Sequence, residues 1–458
     1  MTTYQQNDID AMIKAYDVRG IVGDQPGQIS PEFVENVGAS FGKLMRGESA
    51  AQVVIGHDMR DSSPELAAAF AKGVNAQGLD TITLGLTATD QLYYASGSYD
   101  CPGAMFTASH NPAKYNGIKL CRSGARPVGQ DTGLNTIKAD LVNGVETYEG
   151  EAGTNTEADC LKDYAEYLRS LVPLDIRNLR VAVDAGNGMG GLTVPAVFEP
   201  LPLELHSLYF ELDGTFPNHE ANPLDPKNLV DLQKFTVDKG ADLGIAFDGD
   251  ADRCFIVDEL GEPVSPSTIC AMIAERYLQQ TPGATIIHNL ITSKSVPELV
   301  TKLGGTPVRT RVGHSFIKAQ MAESGAVFGG EHSAHYYFSD FFNADSGMLA
   351  ALHVLATLGG QSKPLSELKK AYEFYQASGE INSEVADQAG RTEAVVEHFA
   401  QRTSSVDRLD GVTIELQDGS WLNVRASNTE PLLRLNVEAR SQEAVQDLVD
   451  EALSVIRA

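Results

Sequence analysis

Gly103-Ala104-Met105-Phe106-Thr107-Ala108-Ser109-His110-Asn111-Pro112 reads as a short apolar strand that runs into a sharp polar turn. Residues 103–106 are small or apolar throughout, as in a strand buried on both faces. Pro112 breaks the run. The hydroxyl of Ser109 therefore sits at the end of a buried strand, where α/β folds place their reactive groups. His110 stands beside it, and Lys119 follows in Tyr115-Asn116-Gly117-Ile118-Lys119-Leu120. A nucleophile with a nearby base and an ammonium group suits group transfer. An isolated Ser-His-Asn-Pro is more often only a polar turn, so its meaning depends on the rest of the chain.

Working outward, the same alternation recurs on both sides. Lys14-Ala15-Tyr16-Asp17-Val18-Arg19-Gly20 reads as an exposed basic loop. Ser30-Pro31-Glu32 opens a helix with Phe33, Val37, Phe41 and Leu44 on one face. Val53-Val54-Ile55-Gly56 is a buried strand, Ser63-Pro64-Glu65 caps a second helix closed by Gly78, and Thr81 to Leu84 is the next strand. Strands alternating with helices indicate a mainly parallel sheet covered on both faces. The polar, Gly-rich stretch from Asn143 to Asn155 marks a boundary, followed by a helix near Glu157 to Leu171 and the strand Val181 to Asp184. Gly186-Asn187-Gly188-Met189-Gly190-Gly191 fits G-x-G-x-x-G, but Glu204 begins the following strand instead of ending it. A ribose contact belongs at the end of that strand, so the run reads as a tight strand-to-helix turn and not as a dinucleotide site. Strands at Leu243 to Phe247, Ile286 to His288, Thr306 to Val308 and Ala326 to Phe328 follow, with helices near Met348 to Leu358 and Leu365 to Tyr375. From Ala377 the pattern changes to short alternating strands and a final helix, Gln442 to Arg457, an α+β module.

The chain has 458 residues, which suggests roughly three or four domains. With 42% hydrophobic and 21% charged residues it has the composition of a soluble globular protein. A net charge of -27 argues against nucleic-acid or anionic-membrane binding, and any anionic substrate must be held by a local basic cluster. No apolar run approaches a membrane span, and the first ten residues lack a signal-peptide core. The five cysteines are scattered in no disulfide or zinc pattern, so the cytoplasm is the expected compartment.

Three further clusters carry chemistry. Asp248-Gly249-Asp250-Ala251-Asp252-Arg253 directly follows an apolar strand, and its alternate carboxylates suit a hard divalent cation such as Mg²⁺. An EF-hand loop is excluded by Arg253 at the position that loop gives to Gly, although Glu259 falls at its twelfth position. Gly329-Gly330-Glu331-His332-Ser333-Ala334-His335 offers an acceptor, a hydroxyl and imidazoles for sugar hydroxyls. Arg425-Ala426-Ser427-Asn428-Thr429-Glu430-Pro431 offers a guanidinium and successive donors for a phosphate, with Arg434 a second guanidinium. Thr310-Arg311-Val312-Gly313-His314-Ser315 adds one more imidazole in a loop.

Four blocks in one order, Thr107 to Pro112, Asp248 to Arg253, Gly330 to His335 and Arg425 to Pro431, resemble the α-D-phosphohexomutase family and its bacterial phosphomannomutase/phosphoglucomutase group. The resemblance implies four domains: three mixed α/β sheet domains around a central cleft and a C-terminal α+β domain. With the pattern above, these are expected at 1–150, 151–257, 258–373 and 374–458. It implies Ser109 as a phosphoserine and Mg²⁺ held by Ser109 through its phosphate, Asp248, Asp250 and Asp252. Glu331 and Ser333 would read the sugar hydroxyls at positions 3 and 4. Arg425, Ser427, Asn428 and Thr429, with Arg434, would hold the phosphate that is not reacting. Tyr16, Arg19, His110, Lys119, Arg253, His314 and His335 would line the cleft, with Lys119 the general acid/base and His314 second. His332 departs from the Met often found there. The implied activity interconverts mannose 1-phosphate and mannose 6-phosphate, and the glucose phosphates as well, through hexose 1,6-bisphosphate, in a monomer or weak homodimer. A phosphoglucosamine mutase, a Mg²⁺-dependent sugar-phosphate phosphohydrolase and a non-enzymatic phosphosugar-binding protein are the alternatives.

Overall fold

In the computed structural model, which describes residues 2–426 and 432–458, the strand Gly103–Phe106 lies inside a sheet and is buried at every position. Its neighbours on one side, Gln52–His57, Asp80–Leu86 and Asn155–Glu157, run parallel in that order. On the other side Tyr115–Arg122 runs antiparallel to it, and Val18–Ile21 beyond runs antiparallel to Tyr115–Arg122, so the sheet is mixed. The strand at Asn155–Glu157 differs from the expected helix start at Glu157: the helix there is Leu161–Leu171. The segment Lys14 to Gly20 is not an exposed loop either. Val18 is buried, and Arg19 sits in a strand paired to Gly117.

The helices that cover this sheet form for the expected local reasons, with one exception. Ser30 Oγ accepts from Phe33 N (3.2 Å), Pro31 follows it, and Phe33, Val37 and Phe41 are fully buried in the helix Pro31–Gly47. Ser63 does not cap the second helix, Ser63–Ala76, but lies inside its first turn. Its hydroxyl donates to Asp58 Oδ1 instead (2.6 Å).

The second sheet has the order Pro263–Val264, Cys254–Asp258, Leu243–Phe247, Leu179–Asp184, Leu203–Leu208, with the last three strands parallel. The glycine run 186–191 is a strand-to-helix turn, as its sequence suggests. Gly186 N is held by Asp184 Oδ1 (2.8 Å), and Met189 N donates to Gly249 O (2.9 Å), so the turn packs on the carboxylate loop. Glu259 is engaged by Ser366 N (3.1 Å) and takes no part in that loop.

The chain divides into two compact units, residues 1–264 with 333–366 and residues 265–332 with 367–458. In the second unit Thr306–Thr310, Thr285–Asn289 and Phe328–Gly330 form parallel pairs. Its C-terminal part is antiparallel, built on Leu432–Ala439, Trp421–Ala426, Val412–Leu416 and Thr403–Asp407. Leu433, Leu435 and Val437 pack there against Val445, Leu448 and Ala452 of the helix Gln442–Ile456. No helix among the described residues is long and apolar enough to cross a membrane, and all five cysteines are buried free thiols.

Candidate active site

The turn after Gly103–Phe106 is shaped by its own polar side chains. Thr107 Oγ1 accepts from Ser109 N (2.8 Å), and Ser109 takes φ +51°, a left-handed backbone that costs a non-glycine residue roughly 1–2 kcal/mol. This conformation brings Ser109 Oγ to 2.7 Å from Asp248 Oδ2 and 3.3 Å from His110 Nδ1. Burial, with the positive charges of Arg253 and Arg19, pulls the His110 imidazole well below its usual range, so it is neutral.

Asp248 directly follows the fully buried strand Leu243–Phe247. Carboxylate oxygens of Asp248, Asp250 and Asp252 all lie within 4.8 Å of one another, and each residue is buried. Gly249 is required between them, because a Cβ there would stand 2.5 Å from the Ser109 carbonyl. Two cations share the cluster. Lys119 Nζ is 2.7 Å from Asp250 Oδ2 and 2.5 Å from Asp252 Oδ2, while Arg253 Nε donates to Asp248 Oδ2 (2.9 Å). Burial opposes the Lys119 ammonium, but Asp250 and Asp252 overcome it and hold its pKa well above the usual range. Burial, together with the like charges of Asp252 and Asp250, pushes the Asp248 carboxyl up against the pull of Arg253. For Asp250 burial is outweighed by Lys119 and Thr89, and its pKa is lowered.

The donor set fits a divalent metal. Asp250 Oδ1 and Asp252 Oδ1 are buried with no hydrogen-bond partner, an arrangement that is costly unless a cation converges on them. Beside them Ser333 Oγ lies 3.0 Å from His335 Nδ1, and His335 Nε2 lies 3.6 Å from Asp252 Oδ1. Arg19 is held by Asp17 Oδ2 (2.6 Å) and donates to Asn111 Oδ1 (2.8 Å) on the serine turn, and Tyr16 is half-buried just ahead of it.

Within the second unit Glu331 is buried, and its Oε1 accepts from Gly313 N (3.1 Å) and Asn289 Nδ2 (3.3 Å). His332 Nδ1 lies 3.5 Å from Ser267 Oγ. Arg425 and Arg434 are direct cross-strand partners, and both reach Glu380, at 3.5 and 3.4 Å. Ser427, Asn428 and Thr429 lie outside the described residues, as does the side chain of His314, which opens the helix His314–Ser324.

Four family models together match most of the chain. Those described as phosphoglucomutase/phosphomannomutase alpha/beta/alpha domains I, II and III match residues 10–147, 162–261 and 265–375, and the C-terminal domain model matches 380–455. The chain belongs to the phosphoglucomutase/phosphomannomutase family. As a phosphohexomutase it is an isomerase of phosphosugars with four domains. It is 38% identical to a phosphomannomutase of Salmonella montevideo over 93% of this chain and 94% of the relative. It is likewise 38% identical to a phosphomannomutase of Vibrio cholerae serotype O1, over 97% and 98%. The crystal structure of a phosphoglucomutase/phosphomannomutase family protein from Burkholderia thailandensis superposes with a TM-score of 0.89 at 30% identity, covering 99% of this chain and 98% of that one.

Several residues that bond the candidate groups within each unit escaped the sequence reading. Thr89 opens the helix Thr89–Ser98 and bonds Asp250. Asp90 next to it accepts from Tyr164 OH (2.8 Å) and Ser346 Oγ (2.6 Å), tying three segments together behind the carboxylates. Asp58 and Arg60 lie in Asp58-Met59-Arg60-Asp61-Ser62, a polar turn after the apolar strand Gln52–His57. That position carries the same signal as Ser109 and Asp248, and it is the one clue the sequence offered. Glu380 has none: a lone acid before the strand Ile381–Glu384 looks like any solvated charge.

Proposed function

We propose that this phosphohexomutase interconverts mannose 1-phosphate and mannose 6-phosphate, and the corresponding glucose phosphates, through phosphorylated Ser109 and a hexose 1,6-bisphosphate. The observation that carries the chemistry is the 2.7 Å approach of Ser109 Oγ to Asp248 Oδ2. It sets a strand-end hydroxyl against three buried carboxylates that themselves hold two cations. Mannose as the sugar is supported by the phosphomannomutases of Salmonella montevideo and Vibrio cholerae at 38% identity.

Asp248, Asp250 and Asp252, with a phosphoryl oxygen on Ser109, are the residues to hold Mg²⁺, which would supply positive charge against the charge developing on the transferring group. Arg253, anchored on Asp248 and 3% exposed, adds a permanent charge at the same place. In the first transfer the bond from phosphorus to Ser109 Oγ breaks and a bond to the free sugar hydroxyl forms. The hydroxyl proton leaves to a base, and the second transfer, after the bisphosphate has turned end for end, reverses the roles. Lys119 is the general acid/base and His314 the second candidate. Asp250 and Asp252 hold Lys119 as an ammonium, and their hold would weaken when a cation shares them, so that Lys119 can give up its proton and then take the one the sugar hydroxyl loses. Glu331 and Ser333 are assigned to the sugar hydroxyls. Arg425, Ser427, Asn428, Thr429 and Arg434 are assigned to the phosphate that is not reacting, and Tyr16, Arg19, His110 and His335 to the walls of the site. One phosphate anchor must serve both ends of the sugar, and two adjacent guanidiniums recognise a phosphate wherever the ring points. We place the enzyme in the cytoplasm as a monomer or weak homodimer; five buried free thiols suit a reducing compartment.

The test is ³¹P NMR with Mg²⁺, a trace of hexose 1,6-bisphosphate and mannose 1-phosphate, then glucose 1-phosphate. The 6-phosphates form without inorganic phosphate, and Ser109→Ala abolishes the conversion. Inorganic phosphate alone would make the protein a hydrolase, and no change with either sugar would point to an amino-sugar phosphate.

A further inference from the structure

We propose that Arg60 is the positioning residue of the nucleophile: anchored on Asp58, its guanidinium fixes the carbonyls of the serine turn and so aims Ser109 Oγ. The inference rests on the reading of Ser109 as the phosphoryl carrier.

Arg60 is 1% exposed, and every N–H of its guanidinium is used. Nε donates to Asp58 Oδ2 (3.0 Å), Nη1 to Pro112 O (2.9 Å) and Tyr115 O (3.0 Å), and Nη2 to Ser109 O (2.9 Å) and Asn111 O (2.7 Å). Four backbone carbonyls of one turn therefore converge on one planar group. The anchor is itself fixed: Asp58 Oδ1 accepts from Arg60 N (3.1 Å) and Ser63 Oγ (2.6 Å), and Asp58 N donates to Phe106 O (2.9 Å), the last residue of the strand that leads into the turn. From the other side the loop 213–216 closes the arginine in. A Cβ on Gly214 would stand 2.6 Å from Arg60 Cα, and the Phe216 ring centroid is 5.1 Å from Arg60 Cζ.

Ser109 needs such a frame. Its φ of +51° is not a conformation that a serine holds unaided, and the carbonyl that Arg60 grips is the one Gly249 leaves room for. A polar strand-end turn forms without a buried ion pair, and burying one is costly. The pair makes physical sense where one side-chain atom must be held to within about 0.5 Å for chemistry. Lysine would keep the charge beside Asp58, but its three N–H groups radiate from one atom and cannot span four carbonyls.

The experiment is Arg60→Lys, with steady-state kinetics, thermal melting and amide hydrogen exchange of the peptide covering 107–117. Expected are a kcat roughly 100-fold lower with KM within about threefold, since a misplacement near 1 Å costs about that much in rate. The melting temperature stays within a few degrees, and exchange quickens in 107–117 alone. Asp58→Asn, which loosens the anchor and keeps Arg60, is the second variant and moves kcat and exchange in the same direction. Wild-type kcat and exchange in a folded variant would overturn the proposal, as would a change in only one of the two. Loss of the fold in both variants would assign the pair a structural role instead. Amide exchange needs no turnover, so it tests Arg60 even if the wild-type protein is inert toward these sugars, which is the separate failure of the mutase reading.

Discussion

Thr89 and Asp250 are joined twice. Thr89 N donates to the Asp250 carbonyl (3.1 Å) and Thr89 Oγ1 to its Oδ2 (2.7 Å). The second bond commits one oxygen of the carboxylate, while the other, Oδ1, is buried without a hydrogen-bond partner. Thr89→Val removes the hydroxyl without changing the shape. We expect Mn²⁺ binding, followed by electron paramagnetic resonance, to weaken about tenfold, the usual cost of losing a partner behind a metal ligand. Thr89→Ser should restore it. Unchanged affinity in the valine variant would mean that Thr89 only starts a helix.

Lys119 shares Asp250 Oδ2 with Thr89, its Nζ lying 2.7 Å from that oxygen and 2.5 Å from Asp252 Oδ2. Lys119→Met should lower kcat about 1,000-fold, within the range for a lost proton-transfer group. The same variant should bind Mn²⁺ more tightly, because a competing cation is gone. Tighter metal binding with normal turnover would remove Lys119 from the chemistry.

Arg434→Gln tests the cross-strand arginine pair. Like charges directly opposite each other are unfavourable, and Glu380 offsets this only in part at 3.4–3.5 Å. We expect KM for the sugar phosphates to rise about tenfold or more with a smaller effect on kcat, and the melting temperature to rise slightly. A fall in stability at constant KM would make the pair structural.

Asp90 predicts a pH dependence of stability. Burial raises its pKa to about 7, against the hydrogen bonds from Ser346 and Tyr164 that lower it. The folded protein therefore binds this proton more tightly than the unfolded chain does. The stabilisation is complete below the ordinary carboxylate pKa of 3.8 and is lost as the pH rises through about 7. Asp90→Asn should melt roughly 5 °C higher than the wild type at pH 8, with the gap closing toward pH 4. A gap that does not vary with pH would show that Asp90 does not titrate in this range.

The strands that carry the chemistry were legible because each is a short apolar run ending in a polar turn. Gly103–Phe106 before Ser109 and Leu243–Phe247 before Asp248 lie where the pattern puts them, with every residue buried. Boundaries set by polar residues were less so. Ser63 has the form of a helix cap, yet it lies inside the helix, where its hydroxyl donates to Asp58 and its oxygen accepts from Asn116 Nδ2 (2.9 Å). The segment around Arg19 looked exposed because its charge is visible in sequence, whereas the strand pairing to Gly117 and the ion pair to Asp17 that draw it in are not.

By itself the sequence determined the family, the alternation of strands and helices, and the residue types at each strand end, since these depend on local order and composition. Only the tertiary structure decided which of those ends meet. Ser109 and Asp248 come within 2.7 Å, Thr89 locks Asp250, and one buried guanidinium at Arg60 holds the turn of Ser109. The physical reason is that a buried charge acquires its partners from segments distant in the chain, and no local pattern records which carbonyl or carboxylate will satisfy it.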